Sequence, residues 1–281
     1  EARPDDPVFA HFELVPDHLP ERLREAIRRF PPGTLQLEIG IQTWNPEVQA
    51  LISRRQDDAK AAANLEWLAR NTHAHTHVDL IAGLPGEDLE SFGAGFDRLV
   101  ALAPHEIQVG ILKRLRGAPI ARHTEAFGLV FSPEPPYNVL ATDRIGFPEM
   151  QRIARFARYW DLVGNSGRFP RTLPLLLGDA PFRRFMALAD WLYARTDATS
   201  RLSVERQFEL VREWLIDQAG AGPAVDEALL ADYTGSGARG RPAFLARGAV
   251  RAEAGAAAAP ASPAAPAATA ATPKRQARRL A

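Results

Sequence analysis

The sequence predicts an α/β fold in which parallel strands alternate with amphipathic helices and a helical region follows. Four short apolar segments are each followed by a stretch of helical periodicity, a pattern typical of right-handed βαβ units on a parallel sheet or barrel. After Gly117 only helical patterns continue. The chain has 281 residues, of which 46% are hydrophobic and 24% charged, so it is long enough for one large domain or two smaller ones.

The elements of the first part follow from periodicity and from capping residues. Apolar side chains occupy every second position of residues 35–42, which is typical of a strand. In chain order, the predicted strands are residues 8–15, 35–42, 77–82 and 106–112. Asn45 before Pro46 predicts a helix N-cap, and Asp57 or Asp58 predicts the next one. The predicted helices of this part are residues 17–30, 46–52, 57–70 and 89–102.

The second part is predicted to be helical and to end in a disordered tail. Helical patterns cover residues 148–162, 181–195 and 203–218, after a Pro-rich connector at 132–138. The last residues, 253–281, are rich in Ala and Pro and contain no aromatic residue, so they have little to bury. We assign residues 1–127 to the strand-containing domain, 128–220 to a helical domain and 221–281 to the disordered Ala/Pro-rich tail.

Composition excludes several classes of protein. The 34 basic groups balance 34 acidic groups, which argues against a strongly basic nucleic-acid-binding protein. The charge is uneven, because Lys274, Arg275, Arg278 and Arg279 make the tail basic and leave the remainder mildly acidic. No uncharged run reaches the length of a membrane span. Residues from Glu1 show no signal-peptide pattern, so we expect a cytoplasmic protein without membrane contact.

Polar residues within or just after the predicted strands are the candidate ligand-binding residues, because ligands of parallel α/β proteins bind at the carboxyl ends of strands. Glu13, Glu38 and Asp79 lie in otherwise apolar segments, where an unpaired polar group costs about 1–3 kcal/mol. The three carboxylates predict either a ligand site or internal ion pairs with Arg54 or Lys113. Further polar residues in or after these strands are His11, Gln42, Thr43 and Gln108.

Two other motifs leave alternatives open. The segment GLPGED at 83–88 predicts either a phosphate-binding loop or a tight turn, and it lacks the spacing of the common phosphate-binding motifs. His73, His75 and His77 alternate, so an extended segment would place them on one face with Asp79, as a zinc site requires. This run precedes the strand, however, and lies opposite the end at which barrel sites form. No GxSxG motif supports nucleophilic catalysis.

The order of the motifs resembles the C-terminal half of a radical S-adenosylmethionine (SAM) domain. The motifs are EIGIQT at 38–43, NPEVQALISR at 45–54, VDLIAGLPGED at 78–88 and EIQVGILKRLRGAPI at 106–120. PPYNVL at 135–140 and NSGRF at 165–169 resemble the C-terminal extension of radical SAM proteins that contain a cobalamin-binding domain. Oxygen-independent coproporphyrinogen oxidases are similar in the middle segment. The resemblance covers about residues 8–218.

The resemblance implies a fold and a set of site residues. The fold would be strands three to six of a (β/α)6 partial TIM barrel, followed by a helical domain. Glu13 would hold the amino group of SAM, and Gln42 and Asp79 would hydrogen-bond its ribose and methionine portions. Arg54 would pair with the SAM carboxylate, since a guanidinium fork matches a carboxylate. The residues implied for the adenine pocket are Ile81, Gly83, Ile111 and Leu112.

The resemblance also implies cofactors whose ligands are absent from this sequence. Radical SAM enzymes bind a 4Fe-4S cluster through the thiolates of a CxxxCxxC motif, and this sequence contains no cysteine. We therefore expect a C-terminal fragment, inactive alone, with the cluster motif and any cobalamin domain upstream of Glu1. The full-length enzyme would receive an electron from flavodoxin or ferredoxin and cleave SAM to a 5′-deoxyadenosyl radical that abstracts hydrogen from an unknown substrate.

Two alternatives belong to other functional classes. A metal-dependent TIM-barrel hydrolase would use His73, His75 and Asp79 as its metal ligands. A binding or scaffold module without catalytic activity would keep the sheet and lack the cluster half. A CxxxCxxC motif encoded in frame ahead of Glu1 would favour the enzyme over the module.

Overall fold

The computed structural model describes residues 8–219, 222–238, 240 and 242, which divide into two compact units. The first unit extends to Ala157 and the second begins at Arg158. Among these residues, no helix combines the length and the hydropathy that crossing a bilayer requires.

A four-stranded parallel sheet forms the centre of the first unit and confirms the predicted parallel α/β arrangement. The strands are β1 (Ala10–Leu14), β2 (Leu35–Gln42), β3 (His75–Ala82) and β4 (Glu106–Ile111). Their spatial order equals their order in the chain, and every neighbouring pair is parallel. Successive βαβ units produce this order, because each helix returns the chain to the same end of the sheet.

Helices connect the strands, and two of these helices begin at the capping residues that the sequence indicated. The connecting helices are α1 (Glu21–Arg28), α2 (Pro46–Leu51), α3 (Asp58–Asn71) and α4 (Leu89–Leu102). Asn45 accepts the backbone N–H groups of Glu47 and Val48, and Asp57 accepts that of Lys60. These side chains satisfy amide groups that have no partner inside the first turn of a helix.

One face of the sheet carries most of the core. Ile39, Ile41 and Val78 are completely buried, and Leu80 is 1% exposed. They alternate with the polar residues of the other face, as the two-residue period of a strand dictates. Phe92, Phe96 and Leu99 of α4 are buried as well. We call the side of Leu35, Leu37, Ile39, Ile41, Val78 and Leu80 the apolar face.

A small antiparallel pair after the main sheet was not predicted. Strand β5 (Val130–Phe131) pairs with β6 (Val139–Ala141) on either side of the predicted Pro-rich connector. Val139 donates its backbone N–H to Leu112, which in turn donates to Ala82 at the end of β3. This pairing attaches residues beyond 127 to the first unit, so the predicted boundary at 127/128 lies earlier than the structural one.

The second unit is helical. Helix α5 (Phe147–Val163) contains the boundary, and the later helices are α6 (Leu173–Leu177), α7 (Pro181–Thr196), α8 (Val204–Ala219) and α9 (Pro223–Gly235). Buried aromatic rings link them. Phe169 stacks on Phe208 at 4.2 Å between ring centroids, and Tyr233 meets Phe208 edge-on at 5.0 Å.

Helix α9 corrects the predicted start of the disordered tail. The sequence predicts that the tail covers residues 221–281, which is wrong for Pro223–Gly235. Val225, Leu229 and Tyr233 recur every four residues and are buried, so they give this segment an apolar helical face. Asp232 fixes it further by accepting the backbone N–H groups of Arg171 and Thr172. The predicted Ala/Pro-rich tail at 253–281, with its basic cluster, lies outside the described residues.

Candidate functional site

The second face of the sheet is polar along most of its length. The strand register places Glu13, Glu38, His77 and Glu106 in one row across the four strands. The residues of this polar face are His11, Glu13, Gln36, Glu38, His75, His77, Asp79, Glu106 and Gln108. The interior of a closed barrel normally contains layers of branched apolar side chains. A face this rich in carboxylates and imidazoles is suited to binding a ligand instead.

An open cavity of about 610 Å³ lies at the carboxyl end of this face. Four of the predicted SAM-binding residues line it together: Glu13, Gln42, Arg54 and Asp79. Its other lining residues are Leu14, Val15, Pro16, Asp17, Glu38, Gly40, Arg55 and Gln56. The cavity therefore lies where the topology of parallel sheets places ligands.

Asp79 is the most unusual side chain of the cavity. It is only 8% exposed, and its Oδ1 has no hydrogen-bond partner among the described residues. The imidazole Nε2 of His77 lies 3.9 Å from that oxygen, too far for a hydrogen bond. Burial, with the neighbouring Glu38 and Glu13 carboxylates, raises the pKa of Asp79 to about 7. A buried, unsatisfied carboxyl group of this kind is typical of a ligand site.

A bulge at the end of β2 positions Gln42 and Arg54. The register with β3 shifts between Gly40 and Gln42, and Gln42 has a left-handed φ of 68°. Its Nε2 would lie 2.7 Å from a Cβ at residue 40, so only glycine leaves room for the amide there. Arg54 donates Nη2 to the carbonyl of Gly40 and Nε to Gln56 Oε1. Burial lowers the pKa of Arg54, while Asp17 and Asp58 act in the opposite direction.

The predicted adenine-pocket residues lie outside the lining of this cavity. Ile81 is on the strand that carries Asp79, Ile111 ends the neighbouring strand, and Leu112 follows it. Gly83 has a φ of 86°, and a Cβ there would collide with Val139 Cγ1. Packing against Val139 therefore accounts for this glycine, and the GLPGED segment forms a turn after β3.

Glu87 in this turn was missed by the sequence analysis. It is buried, accepts a 2.6 Å hydrogen bond from Thr43 Oγ1 and lies 3.4 Å from Ser91 Oγ. Asn45 extends the network by donating its side-chain amide to Ser91. Burial raises the pKa of Glu87 to about 7, against the lowering effect of its two hydroxyl partners. The network ties the loop after β2 to the loop after β3. In the sequence, the only indication of this network is the charged segment EDLE after a glycine-rich turn.

The histidine run does not form a metal site in the described part of the chain. His73 precedes β3, whereas His75 and His77 lie on the polar face. His75 Nε2 lies 3.0 Å from Glu106 Oε1, and His77 Nδ1 lies 3.4 Å from Gln36 Nε2. Among the described residues, no three His, Cys, Asp or Glu side chains are grouped to hold a metal ion. The hydrolase alternative therefore has no geometric support here.

A family model and several known proteins match parts of the chain. Residues 125–260 match a family described as "Protein of unknown function (DUF4080)". Over 77 residues, the chain is 36% identical to oxygen-independent coproporphyrinogen III oxidase from Escherichia coli (strain K12), a match covering 27% of this chain and 17% of that enzyme. Over 93 residues it is 27% identical to anaerobilin synthase from Escherichia coli O157:H7, covering 33% of this chain and 21% of the relative.

Two solved structures are similar as well. One is coproporphyrinogen III oxidase from Escherichia coli, which its title calls a radical SAM enzyme. That structure has a TM-score of 0.40 and 23% identity, covering 56% of this chain and 32% of the other. Elp3 from the archaeon Methanocaldococcus infernus also has a TM-score of 0.40, with 15% identity, and the match covers 53% of this chain and 33% of the other. The chain spans about a fifth of the curated relatives it matches.

Proposed function

We propose that this chain is the SAM-positioning, C-terminal portion of a radical SAM enzyme. The observation that carries the proposal is the cavity in which Glu13, Gln42, Arg54 and Asp79 meet. These residues come from different strands and loops, and the resemblance to radical SAM domains implies that each of them contacts SAM. The similarity to oxygen-independent coproporphyrinogen III oxidase supports the same superfamily.

The polar groups of the cavity match the groups of SAM in charge. Glu13 has no hydrogen bond or ion pair among the described residues, so it is available for the amino group. Asp79 offers an unsatisfied buried oxygen to a hydroxyl or amino donor. Arg54 uses Nε and Nη2 within the protein, and its Nη1 makes no hydrogen bond in the described part, which leaves donors for a carboxylate.

The work of these residues would be to bind and orient the cofactor. Gln42 is held in place by the bulge of β2, and Arg54 is fixed by the Gly40 carbonyl and Gln56, so neither must reorganise strongly on binding. SAM would supply the radical chemistry of the enzyme on reductive cleavage. The sequence has no cysteine and so offers no thiolate ligand to an iron–sulfur cluster. No step involving a cluster is therefore assigned to these residues. A cobalamin cofactor, a flavodoxin or ferredoxin reductant and a cytoplasmic location stay predictions of the resemblance.

The proposal is tested by titrating the 281-residue chain with SAM in a calorimeter. We expect saturable binding with a Kd in the range of about 0.01–1 mM. Asp79→Ala should weaken binding about 10-fold, because it removes a buried acceptor and leaves the ligand's donor unpaired. Asp179→Ala is the matched control, since Asp179 is exposed and lies in the second unit.

Two results would contradict the proposal. One is the absence of saturable SAM binding by a folded chain, and the other is an equal affinity of the Asp79→Ala variant and the wild type.

A further inference from the structure

Glu38 lines the cavity but has no role among the residues assigned to SAM. It occupies the same row of the sheet as Glu13, on the adjacent strand. Like charges on directly opposed residues of neighbouring strands are destabilising. One oxygen of Glu38, Oε2, lies 3.1 Å from His11 Nε2, and the other has no partner among the described residues. The imidazole therefore orients the carboxylate and leaves one oxygen available.

The stability of the fold does not account for this pair. The side chains of His11 and Glu38 are 42% and 34% exposed, and ion pairs this exposed contribute about 0–1 kcal/mol. The pair also lies beside Asp79, a residue that is 8% exposed and lines the same cavity with an unsatisfied oxygen. Two independent features, the oriented Glu38 and the unsatisfied Asp79, thus point to donor groups of a ligand.

The charges of the cavity exceed what SAM alone would neutralise. Four carboxyl groups and two guanidinium groups line it. With all four carboxyl groups ionised, their excess over the two guanidinium groups is two negative charges. SAM, which carries two positive charges and one negative charge, neutralises one of them. Asp79, whose pKa is about 7, removes about half of the remaining charge at neutral pH. A second ligand with a positive charge would balance it.

We propose that Glu38, oriented by His11, binds a protonated amine of the substrate next to SAM. This inference rests on the proposed function and adds the chemical class of the substrate. The recognised group is an alkylammonium, whose N–H donors match the free Glu38 oxygen in a charge-assisted hydrogen bond.

The test uses propylammonium as the probe, with 1-propanol and propionate as neutral and anionic controls of similar size. Binding to the 281-residue chain is followed by amide chemical shifts, with and without saturating SAM. We expect propylammonium to bind the SAM-loaded chain and to shift amides of β1 and β2, whereas the two controls do not. Glu38→Gln should weaken propylammonium about 5–10-fold and change the SAM affinity by less than that.

Glu90→Gln is the matched control variant, because Glu90 is an exposed glutamate on α4. His11→Gln should weaken propylammonium less than Glu38→Gln does, since it loosens the carboxylate without removing it. The proposal is overturned if propylammonium does not bind the SAM-loaded chain, or if Glu38→Gln binds it as tightly as wild type does. It is also overturned if Glu38→Gln loses as much affinity for SAM as for propylammonium. If SAM itself does not bind, the proposed function fails. The amine site is then tested separately on the SAM-free chain, where it requires that propylammonium binds and that Glu38→Gln weakens this binding.

Discussion

The two faces of the same four strands differ in what their side chains do. On the apolar face, Ile39, Ile41 and Val78 are fully buried and make the core. On the polar face, alternate positions of the same strands carry Glu38 and Asp79. Strand geometry forces this division, because neighbouring residues point to opposite sides. The comparison teaches that stability and ligand binding occupy separate faces while sharing one backbone.

Burial has opposite energetic effects on the side chains of the two faces. Burying an aliphatic side chain of the apolar face stabilises the fold by about 1.5–3 kcal/mol. Burying the carboxyl group of Asp79 destabilises its charged form, which is why its pKa rises to about 7. A substitution on either face should therefore change stability and affinity in different combinations.

The largest expected effect on stability belongs to the apolar face. Ile39→Ala should lower the free energy of unfolding by about 2–5 kcal/mol, because it removes methyl groups from a fully buried position and leaves a cavity. Urea denaturation followed by circular dichroism measures this loss. SAM affinity should stay within about twofold of wild type while the variant is folded. A loss of SAM affinity comparable to that of Asp79→Ala would break the separation between the faces.

A smaller, pH-dependent effect belongs to the polar face. The pKa of Asp79 is about 7 in the folded chain and about 3.9 in an unfolded one. Between these values the folded state binds more protons, so the free energy of unfolding falls as pH rises from about 4 to 7. Asp79→Asn removes this contribution. The free energy of unfolding of Asp79→Asn minus that of wild type should therefore be about 1–3 kcal/mol larger at pH 8 than at pH 5.

Urea denaturation at the two pH values measures this difference. Glu87, whose pKa is also about 7, contributes in the same direction in both proteins and cancels in the comparison. A stability difference between Asp79→Asn and wild type that is the same at both pH values would show that Asp79 titrates normally, and the contrast between the faces would then disappear.

Local sequence patterns predicted the main sheet well, because periodicity and capping are local. The bounds of β2 and α4, Leu35–Gln42 and Leu89–Leu102, agree with the predicted residues. Strand β3 begins at His75 instead of residue 77, because polar side chains at its start obscure the alternation of apolar and polar residues. The pair β5–β6 was missed because its strands are only two and three residues long and flank a Pro-rich connector, and its pairing depends on contacts with Leu112.

The candidate site was predictable in part. Glu13, Glu38 and Asp79 stood out as carboxylates in apolar segments, and the topology of a parallel sheet brought them together. Glu87 did not stand out, because its partner Thr43 lies 44 residues away in the chain. The contact of Arg54 with the Gly40 carbonyl was likewise not predictable from the sequence. It depends on the path of the loop after α2, which no local pattern describes.

The central claim is that the polar face of the sheet binds SAM at its carboxyl end. The most direct measurement is a map of amide chemical-shift changes when the labelled 281-residue chain is titrated with SAM. The account predicts that the largest changes cluster at the ends of β1, β2 and β3, around Glu13, Gln42 and Asp79, and that Asp79→Ala reduces them at equal SAM concentration. Saturable changes centred in the second unit, or none in a folded chain, would contradict it.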